Sequence, residues 1–237
     1  MIKFAKSMIP RTIHCFWAKG PKTNLAERCL ASWRRLAPAW EIREWSLANL
    51  PDDVLTSVFC AEAIRLGKWA AVSDWVRMWA LKECGGVYLD LDVELVASID
   101  DMSEREWIAS EWKVGGGTWM NPGGGVALVK GSELATNMLS LYEQQGYRAE
   151  QEMMTVINAN LETAMSGLVT PPRVLPPEVM SPIDTFGRLH RTAETVGIHW
   201  YAMSWASPQR KLAKWLSWHG MRWVVNGLLR VKRMFVR

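Results

Sequence analysis

No stretch of the 237-residue chain stays apolar for the roughly 20 residues that a membrane-spanning helix needs. Even the most apolar part of the tail is interrupted by His219, Arg222 and Asn226. Nor does the start read as a secretory leader, because Lys3 and Lys6 break a short apolar stretch and Pro10 follows it. The cytoplasm is the expected location. The four cysteines, at 15, 29, 60 and 84, form no C-x-x-C pair and lie in apolar segments. That usage argues against a zinc site or a disulfide framework and for reduced, buried thiols. Acidic residues are missing altogether beyond Pro208, where Arg210, Lys211, Lys214, Arg222, Arg230, Lys232, Arg233 and Arg237 follow. The excess of positive charge therefore belongs to the tail, and a nucleic-acid partner is not expected. There is no internal repeat. Tryptophan is the one residue in unusual supply, with 15 copies.

What remains is the pattern of a single α/β unit with an appended tail, divided at residues 1–207 and 208–237. Ile9 to Trp17 reads as a buried strand running into a Gly20-Pro21 turn. Leu25, Cys29, Trp33 and Leu36 then recur at helical spacing, with Asn24 as the expected cap and Pro38 as the stop. Ile42 to Trp45 predicts a second strand, and Pro51-Asp52-Asp53 opens a short helix. Ala61 to Cys84 is helical with a break near Gly67, and Gly85-Gly86 ends it. Further strands are expected over 107–112 and 126–130 around the Gly115–Gly125 loop, helices over 133–145 and 152–165, and a last strand over 197–201. The glycine-rich loop is too irregular for a dinucleotide or phosphate-loop fingerprint.

In Val87 to Val96 apolar residues alternate with Tyr88, Asp90, Asp92 and Glu94, the two-residue period of a strand. Aspartate is depleted in strands, and two of them at i and i+2 project from one face, where they repel unless a cation lies between them. Oxygen ligands of this kind suit Mg²⁺ or Mn²⁺. Taken alone, the pair equally describes the solvated face of an edge strand. Upstream, Asp74 and Arg77 stand three apart on one side of the helix that feeds this strand, a pattern shared with ordinary helical salt pairs.

The block from Ala71 to Glu94, AVSDWVRMWALKECGGVYLDLDVE, joins a Ser-Asp-x-x-Arg helix, a Gly-Gly-x-Tyr turn and an Asp-x-Asp strand. It resembles the core signature of the family 32 glycosyltransferases and their relatives. Ile9–Trp17 and Ile198–Trp205 are similar to the opening and closing segments of the same family. The resemblance implies a GT-A-type, Rossmann-like fold with a central mixed sheet, a UDP- or GDP-linked sugar donor, a divalent ion, Mn²⁺ or Mg²⁺, and transfer with retention of configuration. It places His14, Phe16 and Trp17 at the nucleoside, Asp74 and Arg77 on the donor sugar with Arg77 also near the diphosphate, and Tyr88 on the nucleotide side. Asp90 would contact the ribose or the ion, and Asp92 would ligate it more directly. His199 would stand by the ion and the diphosphate, Ser204 and Trp205 would clasp the phosphates, and Asn121 would contact donor or acceptor. Many relatives carry a second histidine where this chain has Trp200.

The implied acceptor is a glycan or a lipid-linked sugar. The basic, tryptophan-rich tail reads as helices that lie on an anionic membrane surface or pack on the catalytic body. Water in place of the acceptor would make the protein a nucleotide-sugar hydrolase, and sugar-stacking tryptophans without nucleotide affinity would make it a carbohydrate-binding protein.

Overall fold

The computed structural model describes residues 8–148 and 153–202, together with 212, 215, 216, 218 and 219. The chain opens with β1 (Thr12–Phe16), α1 (Asn24–Leu36), β2 (Glu41–Trp45), α2 (Asp52–Leu55), α3 (Val58–Arg65) and α4 (Trp69–Cys84). Next come β3 (Gly86–Tyr88), β4 (Val93–Leu95), β5 (Trp107–Ile108), β6 (Ser110–Trp112), β7 (Thr118–Met120) and β8 (Val126–Leu128). The order closes with α5 (Glu133–Gln145), α6 (Met153–Ser166), β9 (Arg173–Val174), α7 (Pro177–Met180) and β10 (Gly197–His199).

Six strands form one mixed sheet in the order β2-β1-β3-β8-β5-β9, parallel across β2-β1-β3 and antiparallel on both sides of β8. Alternation along β1 and β3 sends Ile13, Cys15 and Val87 into a core against α1. It sends Phe16 and Tyr88 into a second core built on α3, α4, α5 and α6. The result is the three-layer arrangement of an α/β fold of GT-A type with a mixed central sheet, in which ligands bind beyond the carboxyl ends of the parallel strands. Those ends, after Phe16 and Tyr88, open toward the acidic pair.

Three sequence expectations change in detail. The cap of α1 is Thr23, whose hydroxyl accepts from Ala26 N, and Asn24 is already helical. The segment 87–96 is two strands in different sheets. β3 belongs to the central sheet and β4 pairs only with β10, and Asp90-Leu91-Asp92 turns between them, closed by Val93 N to Asp90 O at 3.0 Å. Burial still alternates through the turn, so periodicity alone reads it as continuous strand. The glycine-rich segment, in turn, supplies the tip and second strand of a β6–β7 hairpin that pairs Glu111 with Trp119, and then the 121–125 loop.

The junction that launches the acidic turn depends on two glycines. Gly85 and Gly86 have φ of 66° and 114°, and a Cβ at Gly86 would lie 2.5 Å from Thr12 O. Only a glycine pair lets α4 stop and β3 slide in beside β1.

Candidate active site

Three segments converge on the acidic turn. Asp90 N donates to Gly123 O (3.1 Å), Trp200 N donates to Asp92 O (2.9 Å), and Trp33 Nε1 from α1 donates to Val93 O (2.8 Å). Gly123 approaches so closely that a Cβ there would sit 2.5 Å from Asp90 Oδ2. The turn is thus clamped between the 121–125 loop, the exit of β10 and α1.

Arg77 is the charge centre beneath it. Its side chain is 3% exposed, with Nη1 on Asp74 Oδ1 at 2.7 Å and Nη2 on Asp90 Oδ1 at 3.0 Å. The guanidinium lies over the Tyr88 ring, 4.8 Å from its centroid, and Tyr88 OH bonds Ser73 Oγ at 2.8 Å. Nε of Arg77 is buried without a hydrogen-bond partner among the described residues. One cation facing two carboxylates cannot neutralise both. Burial lifts the Asp74 carboxyl to about 6 against the pull of Arg77. Burial likewise raises Asp90, with Arg77 opposing and Asp92 assisting.

Asp92 belongs to a second network. His199 Nε2 is 3.2 Å from Asp92 Oδ1, and Ala202 N donates to Asp92 Oδ2 at 2.7 Å. Burial pushes the Asp92 carboxyl up, but His199 and these hydrogen bonds prevail and hold it below its ordinary value. Burial pulls the His199 imidazole down, and Asp92 outweighs it and keeps it above its ordinary value. Behind His199, its Nδ1 lies 3.3 Å from Asn121 Nδ2, which also donates to Glu111 Oε2 at 2.7 Å. Asn121 Oδ1 accepts from Gly123 N (3.0 Å) and Gly124 N (3.3 Å), so the amide has one orientation.

The donor set fits a divalent cation. Ligand atoms of Asp90, Asp92 and His199 all lie within 4.8 Å of one another. Two carboxylates and an imidazole are donors that a divalent cation accepts.

The other expected residues are placed as follows. Trp17 is half-buried at the end of β1, its Nε1 on Gly20 O at 3.1 Å, beside the carboxyl ends of the parallel strands. Phe16 is buried in the helical-side core. His14, expected at the nucleoside, is fully buried, with Nε2 on Gly85 O (2.9 Å) and Nδ1 accepting from Trp45 Nε1 (3.0 Å). Both ring nitrogens are used internally and burial lowers its pKa to about 4, so it staples β1 to the end of α4 as a neutral ring. Tyr88, expected to line the nucleotide, is likewise fully buried and supports Arg77 from below. Ser204 and Trp205 lie outside the described residues. Trp200 packs away from the acidic pair, with Nε1 on Glu94 Oε2 (2.9 Å) and the Arg28 guanidinium over its ring.

Two site residues escaped the sequence reading. Glu111 takes Trp119 Nε1 (2.8 Å) on one oxygen and Asn121 on the other, and so fixes the chain from β6 to His199. Tyr201 stacks on His199 with centroids 4.1 Å apart and has φ of 50°, unusual for an aromatic residue. The His-Trp-Tyr run was a visible signal for Tyr201. Glu111 had none, because its role follows from the hairpin register.

Comparison with known proteins agrees with this geometry. Residues 24–111, which include the helix of Asp74 and Arg77, the acidic turn and Glu111, match the family described as a glycosyltransferase sugar-binding region containing a DXD motif. A glycosyltransferase of Aspergillus fumigatus, afumC, is 32% identical over 105 residues, 38% of this chain and 26% of that protein. The chain thus matches about a quarter of the length of that relative. Among solved structures, the PaToxG glycosyltransferase superposes with a TM-score of 0.52 at 14% identity, over 69% of this chain and 72% of that one. A glycosyltransferase involved in glycosylation of the major capsid of PBCV-1 gives 0.50 at 13% identity, over 86% of this chain and 98% of that one. At such identities the structural likeness establishes the fold. The sequence match covers the stretch that carries the acidic turn.

Proposed function

We propose that this chain, built on a DXD-type glycosyltransferase sugar-binding region, moves a hexose or N-acetylhexosamine from a UDP- or GDP-linked donor to a glycan or lipid-linked acceptor. The observation that carries the reading is the convergence of Asp90, Asp92 and His199 above the buried Arg77–Asp74 pair. Mn²⁺ or Mg²⁺ held by Asp90, Asp92 and His199 would supply positive charge against the departing diphosphate.

The chain's own residues do the rest. Asp74 and Arg77 make the floor on which the donor sugar rests, and the leftover buried Nε–H of Arg77 is a donor that a polar ligand or a water can satisfy. Arg77 also keeps Asp90 aimed through its Nη2 contact. His199 and Ala202 N fix Asp92, while Asn121 and Glu111 hold His199. Trp17 offers a ring to the base at the end of β1, where a nucleotide meets the carboxyl ends of the strands. Ser204 and Trp205 follow directly in sequence from the Asp92-bonded Ala202 and are suited to close over the phosphates. Preorganised charge of this kind would stabilise the diphosphate as its bond to the sugar breaks, the acceptor oxygen bonds the anomeric carbon with retention, and the hydroxyl proton passes to the departing phosphate oxygen. The arrangement fits the family 32 branch of the DXD enzymes.

The body at 1–207 is the catalytic unit. The tail from Pro208, basic and rich in tryptophan, brings it to the cytoplasmic face of an anionic membrane, where lipid-linked acceptors for surface polysaccharide are found. No helix among the described residues is long and apolar enough to cross a membrane.

A thermal-shift panel of nucleotide sugars with and without Mn²⁺, followed by product analysis of the hits, tests the proposal. The expected result is one selective donor whose stabilisation needs the metal and whose sugar passes to an added acceptor. Release of free sugar undiminished by every acceptor would make the protein a hydrolase. Glycan binding with no nucleotide affinity would make it a lectin-like module.

A further inference from the structure

Four of the large apolar side chains exposed among the described residues, Phe186, Leu189, Leu212 and Trp215, come from two segments distant in sequence. The first is a short hairpin closed by the bridge between Ile183 and Leu189 and by His190 N to Pro182 O at 2.7 Å. Asp184 braces its tip. The carboxylate accepts from Phe186 N (2.8 Å) and Arg188 N (2.9 Å) and pairs with His190 Nε2 at 2.9 Å. A braced tip that presents Phe186 and Leu189 outward, at 48% and 50% exposure, spends stability on showing apolar surface to water.

The second segment is the beginning of the tail, and the two meet. A Cβ on Gly187 would fall 2.5 Å from Trp218 Cγ, so the Trp218 indole lies directly on the hairpin tip. Trp215, three positions earlier and also helical, and Leu212 are 51% and 55% exposed.

The sequence around this face is predominantly basic. The Arg188 guanidinium sits 5.7 Å from the centroid of the Phe186 ring, Arg191 follows the hairpin, and every charged residue beyond Pro208 is basic in sequence. The single acid of segment 183–191, Asp184, is consumed by the brace. Exposed apolar side chains beside Arg188, joined to a tail of basic sequence, match a surface that is anionic outside and apolar just beneath.

We infer that the 183–190 hairpin and the start of the tail form one composite face that docks on an anionic lipid bilayer. Phe186 and Leu189 enter the boundary between headgroups and acyl chains, and Arg188, Arg191 and the tail's bases meet the lipid phosphates. The inference rests on the membrane reading of the tail given above and adds to it an element of the folded body. It also orients the enzyme. The His190 and Trp112 rings lie 5.2 Å apart, and Trp112 is next to Glu111, so docking brings the hairpin wall of the active site to the membrane plane.

Co-sedimentation of the full chain with phosphatidylcholine vesicles, with and without phosphatidylglycerol, tests this. Wild type should bind the anionic vesicles, and more weakly at high salt. The Phe186→Ser/Leu189→Ser variant, altered only at exposed positions, should keep its unfolding midpoint and its donor binding and lose about tenfold or more in vesicle partition. Leu212→Ser/Trp215→Ser should lose as much. Anionic binding of wild type with the hairpin variant indistinguishable from it would overturn the composite face and leave the tail reading intact. Wild type that ignores anionic vesicles would overturn both. A wild-type dimer that the hairpin variant dissociates would assign the face to a second copy of the chain instead. Donor binding with Mn²⁺ on the same samples reports the proposed transferase activity separately, so a failure there is distinguishable from a failure to dock.

Discussion

Asp74 is a carboxyl held in a dry place next to one guanidinium that it shares with Asp90, and this fixes the sign of a pH effect. Burial raises its pKa from 3.8 to about 6, although Arg77 pulls the other way. A folded-state value above the unfolded one means the native chain holds this proton more tightly than the unfolded chain does. The stability it contributes is therefore fully present below the unfolded value of 3.8 and is lost as the pH rises through about 6. The whole effect is about 3 kcal/mol, of which about half falls between pH 8 and pH 5. Asp74→Asn carries no such proton. Relative to that variant, wild type should gain about 1–2 kcal/mol on going from pH 8 to pH 5, or about 3–6 °C in midpoint for a chain of this size. Urea and thermal unfolding of the two proteins across this range measure the gap. A gap that stays flat, or that turns against wild type in acid, would mean that Asp74 is an ordinary salt-bridged carboxylate. The description of Arg77 as a cation outnumbered by its partners would then be wrong.

Other perturbations follow from the same contacts. Arg77→Met leaves buried Asp74 and half-buried Asp90 without a cation and should cost about 3–5 kcal/mol in denaturant unfolding at neutral pH. Arg77→Lys should recover only part of this, because an ammonium has no fork to span Asp74 and Asp90. Glu111→Gln keeps the shape of the side chain but weakens the carboxylate that fixes Trp119 and Asn121. It should reduce Mn²⁺ affinity about 10- to 100-fold with little change in unfolding midpoint, as read by titration calorimetry.

Much of the fold was legible because its signals are local. Apolar periodicity, Gly67, Gly85-Gly86 and the prolines gave nearly every helix and five of the six strands of the central sheet, β9 being the exception. What escaped depends on contacts distant in sequence. The turn at Asp90-Leu91-Asp92 keeps the alternating burial of a strand while the chain leaves one sheet for another, and pairing with β10 more than 100 residues later makes the difference. His14 carries the chemistry of a ligand, yet its partners are Gly85 O and Trp45 Nε1, and only the packing of β1 against the end of α4 shows that none of its polar atoms is spare. Asp90 and Asp92 were legible from their spacing, Asp74, Arg77 and His199 from the family resemblance, and the fold brings the five together. Glu111 could not be named, because a glutamate facing a tryptophan across a hairpin becomes part of the site only through Asn121.

The account depends on a cation shared between the acidic turn and a diphosphate. Titration calorimetry of a nucleoside diphosphate into wild type and Asp92→Ala, each with and without Mn²⁺, tests it most directly. Wild type should bind about tenfold or more tightly with the metal, and the variant should show no such gain. Affinity that ignores Mn²⁺ in wild type, or a gain that survives in Asp92→Ala, would contradict the assignment of this site.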